Sequence, residues 1–357
     1  MIEETVIIAP ELKGGVGDYT RRLLEHLPPI PGLRLIVPKI GNRPTTSFAQ
    51  YPVEEMNGNA RDLGDRLPKR GGKVLVQYSA YGFDRHGYPR WLIGALLDWK
   101  KLSDGLLVIM FHEIWTFWPF WNGNRVLQRF HRNDLRRLVR VADVVFTSTA
   151  SQAKHLGDLS AGRPITVLPV GSNVQPIETG DEEKEIGLAV LFGSQPSRIR
   201  ALRQMGTALK SLGMAGRIRK IVTVGSGKSS DDENEELALL MKIDLVDGFE
   251  QRGPLPEEKI AALLSTAEFA ISEQSELSIT KSSTFMTYAA HGLSILSCHA
   301  VASKPEPLCL MISPEELLKG ITDQELQLRG ERLRQWQERT SAWPYIAEKV
   351  ARALGDG

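Results

Sequence analysis

Cysteine is almost missing from this chain: Cys298 and Cys309 are the two among 357 residues. They carry no CxxC or Cys/His spacing, so neither a disulfide framework nor a zinc site is suggested, and two small buried thiols in a reducing compartment are expected. Charge of one sign is missing too. Lys plus Arg (44) and Asp plus Glu (43) nearly cancel, so no global field draws the protein onto nucleic acid or a lipid surface, and any anion site has to be local. No window approaches the ~20 apolar residues of a membrane-spanning helix. The opening Met1-Ile-Glu-Glu-Thr-Val-Ile-Ile-Ala-Pro places acids where a signal peptide needs positive charge. A cytoplasmic protein is expected, with peripheral contact at the inner face of the membrane left open for a lipid-borne substrate.

Two nucleotide fingerprints are also absent. No GxGxxG follows the first apolar run, and no acidic residue stands where a dinucleotide ribose would need it. Gly225-Ser226-Gly227-Lys228-Ser229 resembles the end of a P-loop, but that motif needs glycine where this chain has Val222, and Asp231, Asp232 and Glu233 would repel phosphate. A dehydrogenase or NTPase is thereby disfavoured. A glycine turn, near a nucleotide base or merely tight, fits better.

What is present is alternation. Short apolar runs at Thr5 to Ala9, Arg34 to Val37, Lys73 to Gln77, Leu106 to Phe111, Val144 to Thr147 and Ile165 to Leu168 read as buried strands. Helical patterns at Tyr19 to Leu27, Pro89 to Leu102 and Leu127 to Val141 lie between them. A polar stretch from Gln175 to Glu185 reads as a linker, and the pattern restarts with strands at Ile186 to Phe192, Ile218 to Val224, Phe269 to Ser272 and Ser294 to Ser297. The expectation is an α/β chain with two parallel-sheet domains: 1–173, a linker over 174–185, 186–340, and a final helix over 341–357 whose apolar stripe of Ile346, Val350 and Leu354 has to dock.

Candidate chemistry sits where strands end. Lys13-Gly14-Gly15-Val16-Gly17-Asp18-Tyr19 joins the first strand to a helix, and its glycines let backbone amides approach an anion, although an ordinary flexible turn has the same composition. His112 and Glu113 follow the run Leu106 to Phe111, at the carboxyl end of a strand, where parallel sheets place ligands. A histidine there can donate to a sugar hydroxyl or move a proton; a locally satisfied loop histidine is the plain alternative. Trp115, Phe117, Trp118, Phe120 and Trp121 crowd the next loop, and Tyr78-Ser79-Ala80-Tyr81-Gly82-Phe83 ends another strand. The first suits sugar stacking, a lipid- or acceptor-facing loop or plain packing, and the second is expected to border the same cleft. Arg198 and Arg200 open one helix and Lys281-Ser282-Ser283-Thr284 another, so cations, hydroxyls and helix-start amides together suggest a diphosphate cradle.

In this order and spacing, Gly14 to Tyr19, Phe111-His112-Glu113, Ala142-Asp143 with Thr147-Ser148, Val167 to Gly171, Val224 to Gly227, Gly253-Pro254-Leu255, Ala289 to Leu293 and the closing Trp343 to Ala347 resemble the retaining glycosyltransferases of the GT-B fold, specifically the large bacterial group called family 4. The resemblance implies two Rossmann-like lobes facing each other across a cleft, a nucleotide-sugar donor held mainly by the C-terminal lobe, a glycan or lipid-linked acceptor on the N-terminal lobe, and transfer with retention, without metal or other cofactor. It makes His112, Asp18 and Glu113 the catalytic candidates. Gly14, Gly15, Gly17, Arg198, Arg200, Gly225, Gly227, Lys281, Ser282, Ser283 and Thr284 become donor-binding candidates; Tyr78, Tyr81 and Trp115 become acceptor-side ones. The family usually carries two glutamates eight positions apart before the Ala-x-Gly-like segment. Here Ile279 and Thr287 occupy those places, Glu273 and Glu276 lie out of register, and the Lys281 to Thr284 segment resembles a basic-plus-hydroxyl variant. A transferase in polysaccharide or glycoconjugate synthesis is expected, against a catalytically silent protein of the same fold.

Overall fold

The computed structural model describes residues 4–39, 47–69, 71–114, 125–177, 184–227 and 230–355. The chain divides into two units, Met1–Pro169 with Trp343–Gly357, and Val170–Ala342.

The first unit runs β1 (Thr5–Ile8), α1 (Gly14–His26), β2 (Leu33–Pro38), β3 (Ser47–Phe48), β4 (Tyr51–Met56), α2 (Ala60–Arg66), β5 (Lys73–Ser79), α3 (Ala80–Phe83), α4 (Arg90–Leu102), β6 (Leu106–Glu113), α5 (Arg125–Val141), β7 (Val144–Thr147), α6 (Ala150–Ser160) and β8 (Thr166–Val167). Its sheet has the order β3-β4-β2-β1-β5-β6-β7-β8 and is parallel except for the β3–β4 pair. All four residues of β1 and all seven of β5 are buried, because helices cover both faces of a parallel sheet and each apolar run has to meet packing on either side. The edge pair β3–β4 escapes the apolar pattern: Pro52 and two glutamates interrupt it, as suits a half-buried edge strand.

The second unit runs β9 (Glu185–Phe192), α7 (Gln195–Met214), β10 (Lys220–Val224), α8 (Ser230–Met241), β11 (Phe249–Gln251), α9 (Glu257–Thr266), β12 (Ala267–Ile271), α10 (Ser283–Ala290), β13 (Ser294–Leu296), α11 (Pro314–Leu318) and α12 (Asp323–Ser341). Its five strands, in the order β11-β10-β9-β12-β13, are all parallel. The order reverses between β9 and β12, the kind of point at which open α/β sheets leave a crevice at the strand carboxyl ends. The stretch expected to be a linker begins inside this unit: Val174 is buried in its core, and residues 178–183 lie outside the described ones. Asp231, Asp232 and Glu233 occupy the first turn of α8, where the positive end of the helix favours carboxylates.

The last helix, α13 (Trp343–Ala353), belongs to the first unit and packs on α1. Ile346, Val350 and Leu354 are buried there. Trp343 sets its ring edge against Tyr19, with centroids 5.2 Å apart. None of the described helices is long and apolar enough to cross a membrane.

Candidate functional site

In the first unit the polar residues collect at the carboxyl edge of the sheet. A β-bulge does the collecting. Tyr78 pairs with Phe111, but Ser79 pairs with Glu113, so His112 is the extra residue on β6. Consecutive residues of a regular strand point to opposite faces; a bulge re-aims them. Here it lets two neighbours on β6 both reach polar residues of β5. His112 Nε2 lies 2.7 Å from Gln77 Oε1, and Glu113 Oε2 accepts from Ser79 Oγ at 3.0 Å. The main chain is held as well: Gln152 at the start of α6 donates to His112 O, and Thr147 Oγ1 donates to Phe111 O. The His112 ring is 6% exposed and meets the edge of Tyr19, centroids 4.7 Å apart. Tyr19 in turn leans on Trp343, so the terminal helix buttresses the same cluster. Burial pushes the Tyr19 phenol well above its ordinary value, keeping it protonated.

The glycine loop before α1 divides by position. Gly14 starts the helix with φ of +73°. A Cβ on Gly17 would lie 2.4 Å from the Leu12 carbonyl carbon, so this glycine is required by close packing of the turn. Around Gly15 nothing stands within 4 Å, which leaves its backbone approachable. Asp18 is part-exposed and ion-paired with Arg21 one turn on.

In the second unit the edge is made largely of main chain. Gly193 ends β9 and Gly225 ends β10, at φ of +134° and +131°. A Cβ on Gly225 would sit 2.0 Å from Gly193 O, so only glycine lets the two loops meet. Tyr288 of α10 clamps Phe192 just before this point: its hydroxyl accepts from Phe192 N at 2.6 Å and donates to Phe192 O at 3.1 Å. Gly193 also abuts Thr284, whose Oγ1 would be 3.2 Å from a Cβ there. The N-terminus of α10 is thereby brought to the end of β9. Ser282 caps this helix by accepting from Phe285 N at 3.1 Å, and Ser283 Oγ accepts from Asn173 Nδ2. Lys281 is exposed in the short turn before the cap. Arg200 is half exposed, with Ser197 Oγ at 2.8 Å and Glu273 at 3.3 Å. The helix start of α10 and the cations Lys281 and Arg200, the latter shared with Glu273, are the groups here suited to an anion.

Two expectations are corrected. Arg198 does not face a ligand: it is buried, donates to both oxygens of fully buried Glu236 at 2.8 Å, and to Gly193 O at 2.6 Å. Burial alone would raise Glu236, but Arg198, Gln195 and Thr223 hold its carboxyl below the usual range. The arginine is a strut between α7, α8 and the glycine loops, because a buried carboxylate needs a charge partner. Tyr78 does not border an acceptor surface either: it is fully buried, with its hydroxyl 2.8 Å from His131 Nε2. Alternation along β5 turns it to the face opposite Gln77 and Ser79.

Tyr81 remains 39% exposed beside Gly87. Gly227 is exposed, near the side-chain ends of Glu233 and Gln195. Trp115 and the aromatic loop around it lie outside the described residues. The two places of the family glutamates point inward: Ile279 is in the core, and Thr287 is buried with Oγ1 3.1 Å from Ser172 Oγ. Gln77, Gln152 and Tyr288 were not singled out from sequence, and Ser79 and Glu273 were named there without these roles. A glutamine in the otherwise apolar centre of β5 was the one available signal among them.

No family model matches the chain, and a search of curated proteins by sequence gave no match. Solved structures do match it along its length. Anabaena HepE in complex with UDP is 12% identical with a TM-score of 0.66, over 99% of this chain and 100% of that one. A glycosyltransferase from Rickettsia africae is 13% identical with a TM-score of 0.64, over 100% of both. Sucrose-phosphate synthase from Thermosynechococcus elongatus is 12% identical with a TM-score of 0.62, over 98% of both. At such identities the likeness is one of fold, and the fold of this chain is GT-B.

Proposed function

We propose that the protein is a glycosyltransferase that moves a sugar from a nucleotide-sugar donor to a glycan or lipid-linked acceptor, with retention of configuration. The observation that carries this reading is the positive helix start of α10, with Lys281 to Thr284, brought against Gly193 at the strand-order reversal of the five-stranded sheet. A nucleoside diphosphate suits such a place. Its oxygens accept from helix-start amides and hydroxyls, and Lys281 with Arg200 offsets the charge that grows as the diphosphate leaves. UDP in the HepE structure makes uridine nucleotides the first to test. On this reading His112 contacts the transferred sugar, Glu113 and Asp18 stay near the reacting centre, and Tyr81 lies on the acceptor side. The reaction proceeds without a metal, at the cytoplasmic side of a membrane or in the cytoplasm, within polysaccharide or glycoconjugate synthesis.

A second reading, a silent protein that binds a sugar nucleotide, is favoured by the buried Ile279 and Thr287, which offer no carboxylate where the family usually carries its two glutamates. The experiment is a thermal-shift screen against uridine, guanosine, adenosine and thymidine diphosphates and their sugar conjugates, followed by donor turnover, because a ligand bound only by the folded state raises stability by mass action. Stabilisation by one nucleotide family with turnover that disappears in His112→Ala supports the transferase. Stabilisation without turnover supports the silent binder, and no stabilisation by any nucleotide sinks both.

A further inference from the structure

Gln77 stands where an apolar residue would be expected. Every residue of β5 is buried, and Gln77 itself is 0% exposed. Its Nε2 has no hydrogen-bond partner among the described residues, and a buried donor left without a partner costs about 1–3 kcal/mol. Its other terminal atom, Oε1, is 2.7 Å from His112 Nε2. An amide oxygen only accepts, so with the Gln77 amide in this orientation the proton of a neutral imidazole sits on Nε2 and its lone pair on Nδ1. The bulge that makes His112 the extra residue of β6 is what brings the ring to Gln77 while Glu113 goes to Ser79. Tyr19 closes against the ring at 74° and Trp343 stands behind Tyr19.

We propose that Gln77 is the positioning residue of His112, holding the imidazole in its Nε2–H tautomer and, with Tyr19, in one ring plane. The inference builds on the reading of His112 as a sugar-contacting group, but its geometry stands without that reading. A neutral ring whose Nε2–H is taken up by Gln77 keeps the same Nδ1 acceptor in the same direction at every turnover. A freely flipping ring would present both tautomers and several orientations, and catalytic groups lose rate steeply with small misplacements. Among the described residues, Tyr19 on α1 meets the ring, and Glu113, the next residue of β6, is bonded to Ser79.

The test is nitrogen NMR of the imidazoles, assigned through His112→Ala, in the full-length wild type, Gln77→Glu and Gln77→Met. The wild type is expected to show the Nε2–H tautomer at His112 and Gln77→Met a mixture. In Gln77→Glu, the carboxylate should raise the pH at which His112 titrates by about one unit or more. A wild-type ring with Nε2 unprotonated, or a His112 titration unmoved by Gln77→Glu, overturns the proposal. Should Gln77→Glu fail to fold, the wild type and Gln77→Met decide it: an unchanged tautomer in Gln77→Met also overturns it. In turnover, Gln77→Met is expected to lower kcat about tenfold with little change in the donor KM. These spectra need no substrate, so they separate the fate of this proposal from that of the transferase reading. An expected tautomer with His112→Ala fully active would remove the catalytic role and keep the positioning one.

Discussion

The polar edge of the eight-stranded sheet is built from side chains, whereas that of the five-stranded sheet is built from backbone. In the first unit a bulge, Gln77, Ser79, Tyr19 and Trp343 hold His112 and Glu113 in place. In the second, Gly193, Gly225 and the start of α10 shape the edge, and Arg198, Glu236 and Tyr288 brace it from beneath. Under the proposed function the difference matches what each edge would do. Proton transfer or hydroxyl recognition needs one atom held accurately, so neighbouring side chains are used to immobilise it. An anion needs several converging donors and room, which glycine loops and a helix start supply.

The comparison breaks hardest at the brace. Glu236→Ala leaves Arg198 buried without its partner and is expected to cost about 3–5 kcal/mol in urea unfolding; a loss under about 1 kcal/mol would mean the pair does not hold the glycine loops. Next in size is an acid effect confined to the first unit. Burial holds His131 down at about 4, despite the upward pull of Asp134 and Asp84, against an ordinary value near 6.5. The unfolded chain therefore takes up this proton first as pH falls. The stability that the neutral His131 contributes is fully present above about pH 6.5 and is lost as pH drops toward about 4, on the order of 3 kcal/mol. His131→Gln should flatten the stability curve in that window relative to wild type, and two parallel curves would refute the assignment.

On the second unit's side, Lys281→Ala should weaken nucleoside diphosphate binding by about 1.5–3 kcal/mol without changing unfolding. Calorimetric titration checks it, and unchanged affinity removes Lys281 from the site. The smallest effect belongs to Gly15. With nothing within 4 Å of a Cβ there, Gly15→Ala should leave stability within about 0.5 kcal/mol of wild type. A large loss would show that Gly15 is constrained by packing as Gly17 is.

Much of this was legible in the chain. The apolar runs located the long buried strands within a residue or two, since a strand covered on both faces has to be apolar throughout. Those runs placed His112 at a carboxyl edge before any contact was known. The edge strands β3 and β4 were not legible, because half-buried positions tolerate Pro52, Glu54 and Glu55. Nor was the fate of the arginines: Arg198 and Arg200 stand two apart on α7, and one is buried against Glu236 while the other faces solvent beside Glu273.

By itself, then, the sequence determined the α/β alternation, the second parallel unit and the neighbourhood of the candidate chemistry, because burial and helix periodicity are written in local residue order. The tertiary structure decided which polar groups meet. Register, the bulge at His112 and the close approach of Gly225 to Gly193 depend on contacts between residues far apart in the chain. A shift of one residue in any of them would turn the same side chains to the opposite face.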